Sequence, residues 1–370
     1  MKVLTIFGTR PEAIKMAPVV RALERDRRFE SRVCVTGQHR QMLNNVMDAF
    51  SLSADYDLEL MKNNQSLSDI VTGTISGIDP ILVDFKPDVV LVQGDTASAM
   101  AASLAAFFRN IDVGHVEAGL RTGNLRSPWP EEANRRLTAV VATRHYAPTQ
   151  RAVDALLAER VPADSIKLTG NTVIDALGYM IDRISAPGPE REELESEFGW
   201  LDRNRRLILV TGHRRESFGE GFRNICLALK DIAARGDVEL VYPVHLNPNV
   251  RGPVHDILSG VKNLHLIEPL DYRRFVYLLQ RCHFALTDSG GIQEEAPAIR
   301  KPVLVMRDTS ERMEAVDAGV ARLVTTNRTS IVSNVNEVLD DSAVFSTMSS
   351  GASPFGDGRA TERIIEDLAA

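Results

Sequence analysis

From one end to the other, short and nearly continuous runs of Val, Ile and Leu alternate with longer helical patterns, and this constrains the fold of the chain most. In the first half the runs are Val3–Gly8, Arg32–Thr36, Asp88–Gln93, Ile111–Glu117, His145–Pro148 and Ile166–Thr169. Between them lie helical patterns such as Glu12–Arg25, Ala97–Arg109, Glu131–Ala142 and Arg151–Arg160. Strands that are apolar throughout are buried on both faces, and strands separated by helices pair in parallel. The rhythm restarts after Arg205, with runs at Leu207–Thr211, Glu239–Val244, Leu264–Ile267, Phe284–Asp288, Pro302–Met306 and Arg322–Thr325. The expected fold is α/β, with two doubly wound halves in succession. A length of 370 residues accommodates two such domains, each with its own core.

The breaker cluster Ser185-Ala186-Pro187-Gly188-Pro189 separates the halves, and the boundary is placed loosely at 170–190. The domains are drawn as 1–170 and 171–358. A second cluster, Ser353-Pro354-Phe355-Gly356-Asp357-Gly358, precedes a last helix at about 359–370 that is expected to pack back on the first domain. In doubly wound sheets ligands bind at the carboxyl ends of the strands, so the cleft between two such domains is the expected site.

Composition removes several functions. Lys+Arg 43 against Asp+Glu 50 leaves a net charge of −7, against the basic balance of a general nucleic-acid binder. No apolar run reaches the roughly 18 residues of a membrane span. The apolar start at Met1–Gly8 is broken by Thr9, Arg10 and Glu12, with no small-residue cleavage site, so it reads as a first strand and not a signal peptide. Cys34, Cys226 and Cys282 are far apart, which fits a reducing cytoplasm and excludes a cysteine-built zinc site. The eight His are scattered, with no HExxH, Walker or GxSxG pattern. No metal site is expected.

The polar residues after the strands carry the chemistry. Gly8-Thr9-Arg10-Pro11-Glu12 lacks the GxGxxG of a tightly bound dinucleotide, but places Arg10 at a helix start, with Lys15 about a turn and a half on. Asp95, in Gln93-Gly94-Asp95-Thr96, is either a helix N-cap or a catalytic acid. Glu117 ends a buried strand, which is costly unless the carboxylate is paired or used. Glu131, in Pro128-Trp129-Pro130-Glu131, either complements a helix dipole or joins Asp95 and Glu117 in one acid–base pocket. In the second half, His213-Arg214-Arg215 follows a strand and suits a diphosphate, whereas a lone His is usually structural. Ser289-Gly290-Gly291 offers backbone amides to phosphate at a helix start, and Glu295, about a turn further, suits ribose hydroxyls; the alternative is a tight turn with a solvated acidic helix.

At these residues the chain resembles the bacterial non-hydrolysing UDP-N-acetylglucosamine 2-epimerases. The resemblance covers nearly the whole chain and rests on Phe7–Lys15, Gly114–Gly123, Ser127–Arg135, His213–Glu216, Asp288–Pro297 and Gly356–Ala360. It implies two Rossmann-like domains of the GT-B type, with UDP held mainly by the C-terminal one. Also implied are a cytoplasmic homodimer, no metal or NAD requirement, and UDP-N-acetylmannosamine as a product that supplies surface polysaccharide. The implied catalytic carboxylates are Asp95, Glu117 and Glu131, with base and acid left unassigned. Arg10, Lys15 and His213 are implied to bind or stabilise the departing diphosphate, Ser289, Gly290 and Gly291 to cradle phosphate, Glu295 to hold the ribose, and Phe275 to contact uracil.

The resemblance further implies a second UDP-N-acetylglucosamine as an allosteric effector at Gln38, Gln41, Glu131, Arg214 and His245. Asn64 stands where some relatives have an Arg, which is expected to weaken that site. Rival readings are a hydrolysing 2-epimerase, a GT-B glycosyltransferase and a catalytically dead nucleotide-sugar sensor. The sensor predicts a missing carboxylate, yet all three positions are occupied.

Overall fold

The computed structural model describes residues 1–37, 40–60 and 65–370, without the side chains of Arg40, Gln41, Met42 and Arg215. Gln38, Asn64 and the side chain of Gln41 therefore lie outside the described residues. Two compact units are present: Met1–Gly178 with Phe355–Ala370, and Tyr179–Pro354. The division falls inside the helix Thr172–Ser185, within the loose 170–190 boundary, past the 170/171 line and before the breaker cluster.

The first unit holds β1 (Lys2–Phe7), β2 (Glu30–Val35), β3 (Tyr56–Asp57), β4 (Val89–Gln93), β5 (Asp112–Val116), β6 (Arg144–Ala147) and β7 (Ile166–Leu168). They form one parallel sheet in the order β3-β2-β1-β4-β5-β6-β7. β3 has two residues, too few to leave a periodic signal, and was not anticipated. The second unit holds β8 (Arg206–Thr211), β9 (Val238–Pro243), β10 (Leu264–Ile267), β11 (Phe284–Thr287), β12 (Val303–Val305) and β13 (Ala321–Leu323). These too are parallel, in the order β10-β9-β8-β11-β12-β13. In both sheets the strand order reverses beside the first strand, between β1 and β4 and between β8 and β11. Crevices open at such points at the carboxyl ends of the strands.

Burial explains the apolar runs. Leu4, Ile6, Val90, Val92 and Val113 pack on an alanine face of the helix Ala97–Phe108 (Ala99, Ala102, Ala105, Ala106) and on Ile78, Leu82 and Phe85. In the second unit Ile208, Val210, Leu240, Phe284 and Leu286 pack on Ile225, Leu229 and Ile232 and on Ile331, Val335 and Val338. All three cysteines are buried and reduced, with their thiol pKa pushed up to about 12 by desolvation. Among the described residues no helix is long and apolar enough to cross a membrane.

The helix Ala360–Ala369 belongs to the first unit and is pinned there by polar contacts. Arg144 Nη1 donates to Asp367 O at 2.7 Å and to Asp367 Oδ2 at 3.0 Å, and Tyr146 donates to Asp367 Oδ2 at 3.1 Å. At the other end the Asp175 carboxylate accepts from the amides of Ala360 (3.3 Å) and Thr361 (2.8 Å).

Candidate active site

The loop after β1 is built around Glu12. Its buried carboxylate accepts from Gly8 N at 3.1 Å and Thr9 N at 2.7 Å through Oε2, and from Thr96 Oγ1 at 2.7 Å through Oε1. Glu12 thus ties the loops after β1 and β4 together across the reversal of strand order. Burial raises its pKa, and the three donors oppose the rise. Only glycine fits at position 8, because a Cβ there would lie 2.0 Å from Thr36 Oγ1. Pro11 follows Arg10 in the first turn of the helix Arg10–Arg25, which leaves the exposed Arg10 at the helix start.

Asp95 is not the N-cap. Thr96 takes that role, accepting from Ala99 N at 3.0 Å. Asp95 instead forms an ion pair with Arg135, a residue only 5% exposed. Asn134 Nδ2 donates to the Asp95 carbonyl at 2.9 Å, so the helix Glu131–Val141 grips the loop after β4 by consecutive residues. Its Glu132 accepts from Thr122 N at 3.0 Å and Gly123 N at 3.3 Å, fixing the loop after β5. Glu131 opens the helix with a buried Oε2 that has no hydrogen-bond partner among the described residues.

Glu117 follows β5 with φ +64°, the left-handed region that non-glycine residues enter only at a cost of about 1–3 kcal/mol. Lys15 Nζ binds Glu117 Oε2 as a buried ion pair, and Asn171 Nδ2 donates to the same oxygen at 2.8 Å. Glu117 Oε1 lies over Gly94, 3.9 Å from where a Cβ would stand. Two residues earlier, His115 Nε2 is 2.7 Å from Gly94 O, which makes Nε2 the protonated nitrogen.

Desolvation pulls the pKa of His115 from 6.5 down to about 3 and that of His145, its neighbour across β5 and β6, down to about 4. The unfolded chain therefore binds protons below pH 6.5 that the folded chain refuses, so stability falls as pH drops from 6.5 towards 3. We expect His115→Gln, which keeps a donor for Gly94 O, to flatten this acid limb by on the order of a few kcal/mol. Urea unfolding at pH 7 and pH 4.5 measures it, and an unchanged slope contradicts the assignment.

In the second unit Asp288 is the counterpart of Glu12. Fully buried at the end of β11, its Oδ2 accepts from the amides of His213 (2.7 Å) and Arg214 (2.8 Å), and His213 Nδ1 lies 3.5 Å from Oδ1. The His213 ring stacks on His245, with centroids 5.2 Å apart and planes 12° apart. Ser289 caps the helix Gly290–Ala298, and its side chain makes no cap bond. Arg214 and Arg312 flank the start of this helix, their guanidinium atoms 3.7 and 3.6 Å from where a Gly290 Cβ would stand. Arg312 is oriented by Glu294, whose Oε1 accepts from its Nε at 2.8 Å. Free helix amides between two guanidinium groups make an anion site. One turn on, Glu295 accepts from the Tyr272 hydroxyl at 2.8 Å through Oε1, and its Oε2 lies near Gly291. Tyr272 begins the helix Tyr272–Arg281, which also carries the half-buried Phe275.

The first unit therefore gathers Arg10, Lys15, Asp95, Glu117 and Glu131 at the carboxyl ends of β1, β4 and β5 and the helix beyond. The second gathers His213, Arg214, His245, Ser289, Gly290, Gly291 and Glu295 after β8, β9 and β11. Glu12, Arg135, Asn171, Asp288 as an acceptor, Tyr272 and the pairing of Arg312 with Glu294 were not legible in the sequence. No group of metal-ligating side chains is present among the described residues.

Carboxylates held singly at the strand ends of one doubly wound unit, and an anion-ready helix start in another, are the equipment of an enzyme for nucleotide-linked sugars. Residues 21–369 match the family UDP-N-acetylglucosamine 2-epimerase. The UDP-N-acetylglucosamine 2-epimerase of Salmonella typhimurium is 56% identical over 369 residues, covering 100% of this chain and 98% of that protein. The crystal structure of the Neisseria meningitidis UDP-GlcNAc 2-epimerase bound to UDP-GlcNAc matches with a TM-score of 0.95 and 51% identity, covering 100% and 99% of the two chains. The Methanocaldococcus jannaschii enzyme in complex with UDP-GlcNAc and UDP matches with a TM-score of 0.85 at 31% identity, covering 100% and 99%. The chain belongs to the UDP-N-acetylglucosamine 2-epimerase family and is an isomerase of that nucleotide sugar.

Proposed function

We propose that the enzyme inverts C2 of UDP-N-acetylglucosamine without hydrolysis, by eliminating and re-adding UDP. The C2 hydrogen is not acidic, because no carbonyl activates that carbon, so a free carbanion is too costly. Loss of UDP from C1 as a base takes the C2 proton avoids it and leaves 2-acetamidoglucal beside bound UDP. Return of a proton to the opposite face, with UDP re-adding at C1, gives UDP-N-acetylmannosamine.

The observation that carries this reading is the different setting of each carboxylate. Glu117 is ion-paired to Lys15 and Asp95 to Arg135, so each carboxylate is held by a cation. Glu131 Oε2 is buried with no hydrogen-bond partner among the described residues, and we assign it to a substrate hydroxyl or amide. Asp95, Glu117 and Glu131 move the protons, and Lys15 and Arg10 add positive charge near the departing diphosphate. His213, backed by Asp288, stabilises UDP as it leaves. Ser289, Gly290 and Gly291 cradle phosphate, Glu295 holds the ribose, and Phe275 contacts uracil. No NAD or metal takes part.

We assign Arg214 and His245, with Gln38 and Gln41, to a second UDP-N-acetylglucosamine that acts as effector. The working form is a cytoplasmic homodimer that feeds surface polysaccharide synthesis. Exposed Val83, Phe107, Phe108, Leu137 and Val140, on the successive helices Leu67–Phe85, Ala97–Phe108 and Glu131–Val141, support the dimer. UDP-N-acetylglucosamine incubated with the enzyme alone, with chelator present and no NAD, tests the reading by proton NMR. A new nucleotide-linked epimer is expected. Free N-acetylmannosamine as the first product, or no product until metal or NAD is added, contradicts it.

A further inference from the structure

Glu117 has two donors on one oxygen, and the second comes from a distant stretch of chain. Asn171 is 2% exposed, and its Nδ2 donates to Glu117 Oε2 at 2.8 Å. The amide cannot turn over without loss, because its Oδ1 accepts from Val173 N at 3.1 Å. The backbone is held as well: Asn171 N donates to the carbonyl of Phe355 at 2.7 Å, in the segment that returns to the first unit. There the backbones of Gly170 (φ +86°) and Gly356 (φ +121°) touch, and a Cβ on Gly170 would lie 3.1 Å from the Gly356 Cα. Arg363 Nη1 donates to Thr169 O at 2.8 Å from the last helix. The loop Thr169–Asn171 is thus clamped from the far end of the sequence.

We infer that Asn171, fixed by the returning segment Phe355–Gly356, is a positioning residue that aims the Glu117 carboxylate. Lys15 alone is a rotatable point donor on a flexible stem and fixes no carboxylate plane. With Asn171 on the same oxygen, Oε2 is pinned and Oε1 is the oxygen presented over Gly94. The strained backbone at Glu117 is then held by its side chain as well as by β5. The titratable groups that face the carboxylate include Lys15 from the helix Arg10–Arg25 and His115 from β5, which stays neutral down to about 3.

The inference rests on Glu117 acting in proton transfer, so Glu117→Gln is run beside each Asn171 variant. Asn171→Ala is expected to lower kcat at least about tenfold with KM within about twofold, since the bond serves proton transfer and not binding. Asn171→Asp, of the same size, places a second carboxylate on Glu117 and is expected to move the acid limb of kcat/KM upward by about one pH unit or more. A role in stability alone lowers the melting temperature and leaves the pH profile in place. Unchanged kcat in Asn171→Ala, or an unshifted profile in Asn171→Asp, overturns the inference while Glu117→Gln remains inactive. Full activity in Glu117→Gln overturns the reading of Glu117 instead. If Asn171→Ala does not fold, the Asn171→Asp profile decides.

Discussion

Neutralising the carboxylates one at a time, as Asp95→Asn, Glu117→Gln and Glu131→Gln, is expected to lower kcat by about 10²-fold or more in each case, the scale of general acid–base catalysis. The three variants are expected to differ in stability. Glu131 Oε2 has no hydrogen-bond partner among the described residues, so the amide there costs little. Asp95→Asn removes the charge from Arg135, which keeps Glu132 at 3.8 Å as a weaker partner. Glu117→Gln removes the carboxylate of the buried Lys15–Glu117 ion pair, and breaking a buried pair costs about 3–5 kcal/mol. The expected order of melting temperatures is therefore Glu131→Gln above Asp95→Asn above Glu117→Gln. Turnover near that of the parent in any one of them returns that carboxylate to a structural role.

Lys15→Met is expected to cost as much as Glu117→Gln, in both stability and rate. It leaves the buried Glu117 carboxylate without the Lys15 cation, while the Asn171 amide still donates to it. Loss of the Lys15 cation removes the charge that stabilises the carboxylate in proton transfer. The double variant Lys15→Met/Glu117→Gln has no buried charge to strand. It should unfold at higher urea than the sum of the single losses allows, with a coupling of about 1–3 kcal/mol, and still be inactive. Additive losses would mean that the pair contributes nothing to folding. Activity in the double variant would remove both residues from the reaction.

Much of this was legible in the sequence because doubly wound sheets write their sites at strand ends. Val3–Gly8, Asp88–Gln93, Ile111–Glu117, Leu207–Thr211 and Phe284–Asp288 are apolar runs that stop at polar residues, and those residues are the ones found around the reversals of strand order. What stayed illegible depends on contact between elements remote in sequence. Periodicity shows that Glu12 lies in a first helical turn, not that Thr96 donates to it from the end of another strand. The N-cap alternative for Asp95 fell to Thr96, the very next residue, and what decided it was Arg135 arriving from a separate helix. Asn171 sits in a stretch that reads as an ordinary connection, and its importance comes from Phe355 and Glu117, neither of which is near it in the chain. Tyr272 and Arg312 were missed for the same reason, since each is defined by a glutamate of the helix Gly290–Ala298. The unit division inside Thr172–Ser185 shows that a change of domain need not coincide with a break in secondary structure.

The proposed elimination requires that the C2 proton leaves the sugar and that a proton is delivered back to C2. Turnover of UDP-N-acetylglucosamine in heavy water, followed by proton NMR at C2, tests it most directly. UDP-N-acetylmannosamine formed early in the reaction is expected to carry deuterium at C2, and recovered substrate to acquire it as equilibrium is approached. Product that keeps its original C2 hydrogen through repeated turnovers would contradict removal of that proton by Asp95, Glu117 or Glu131.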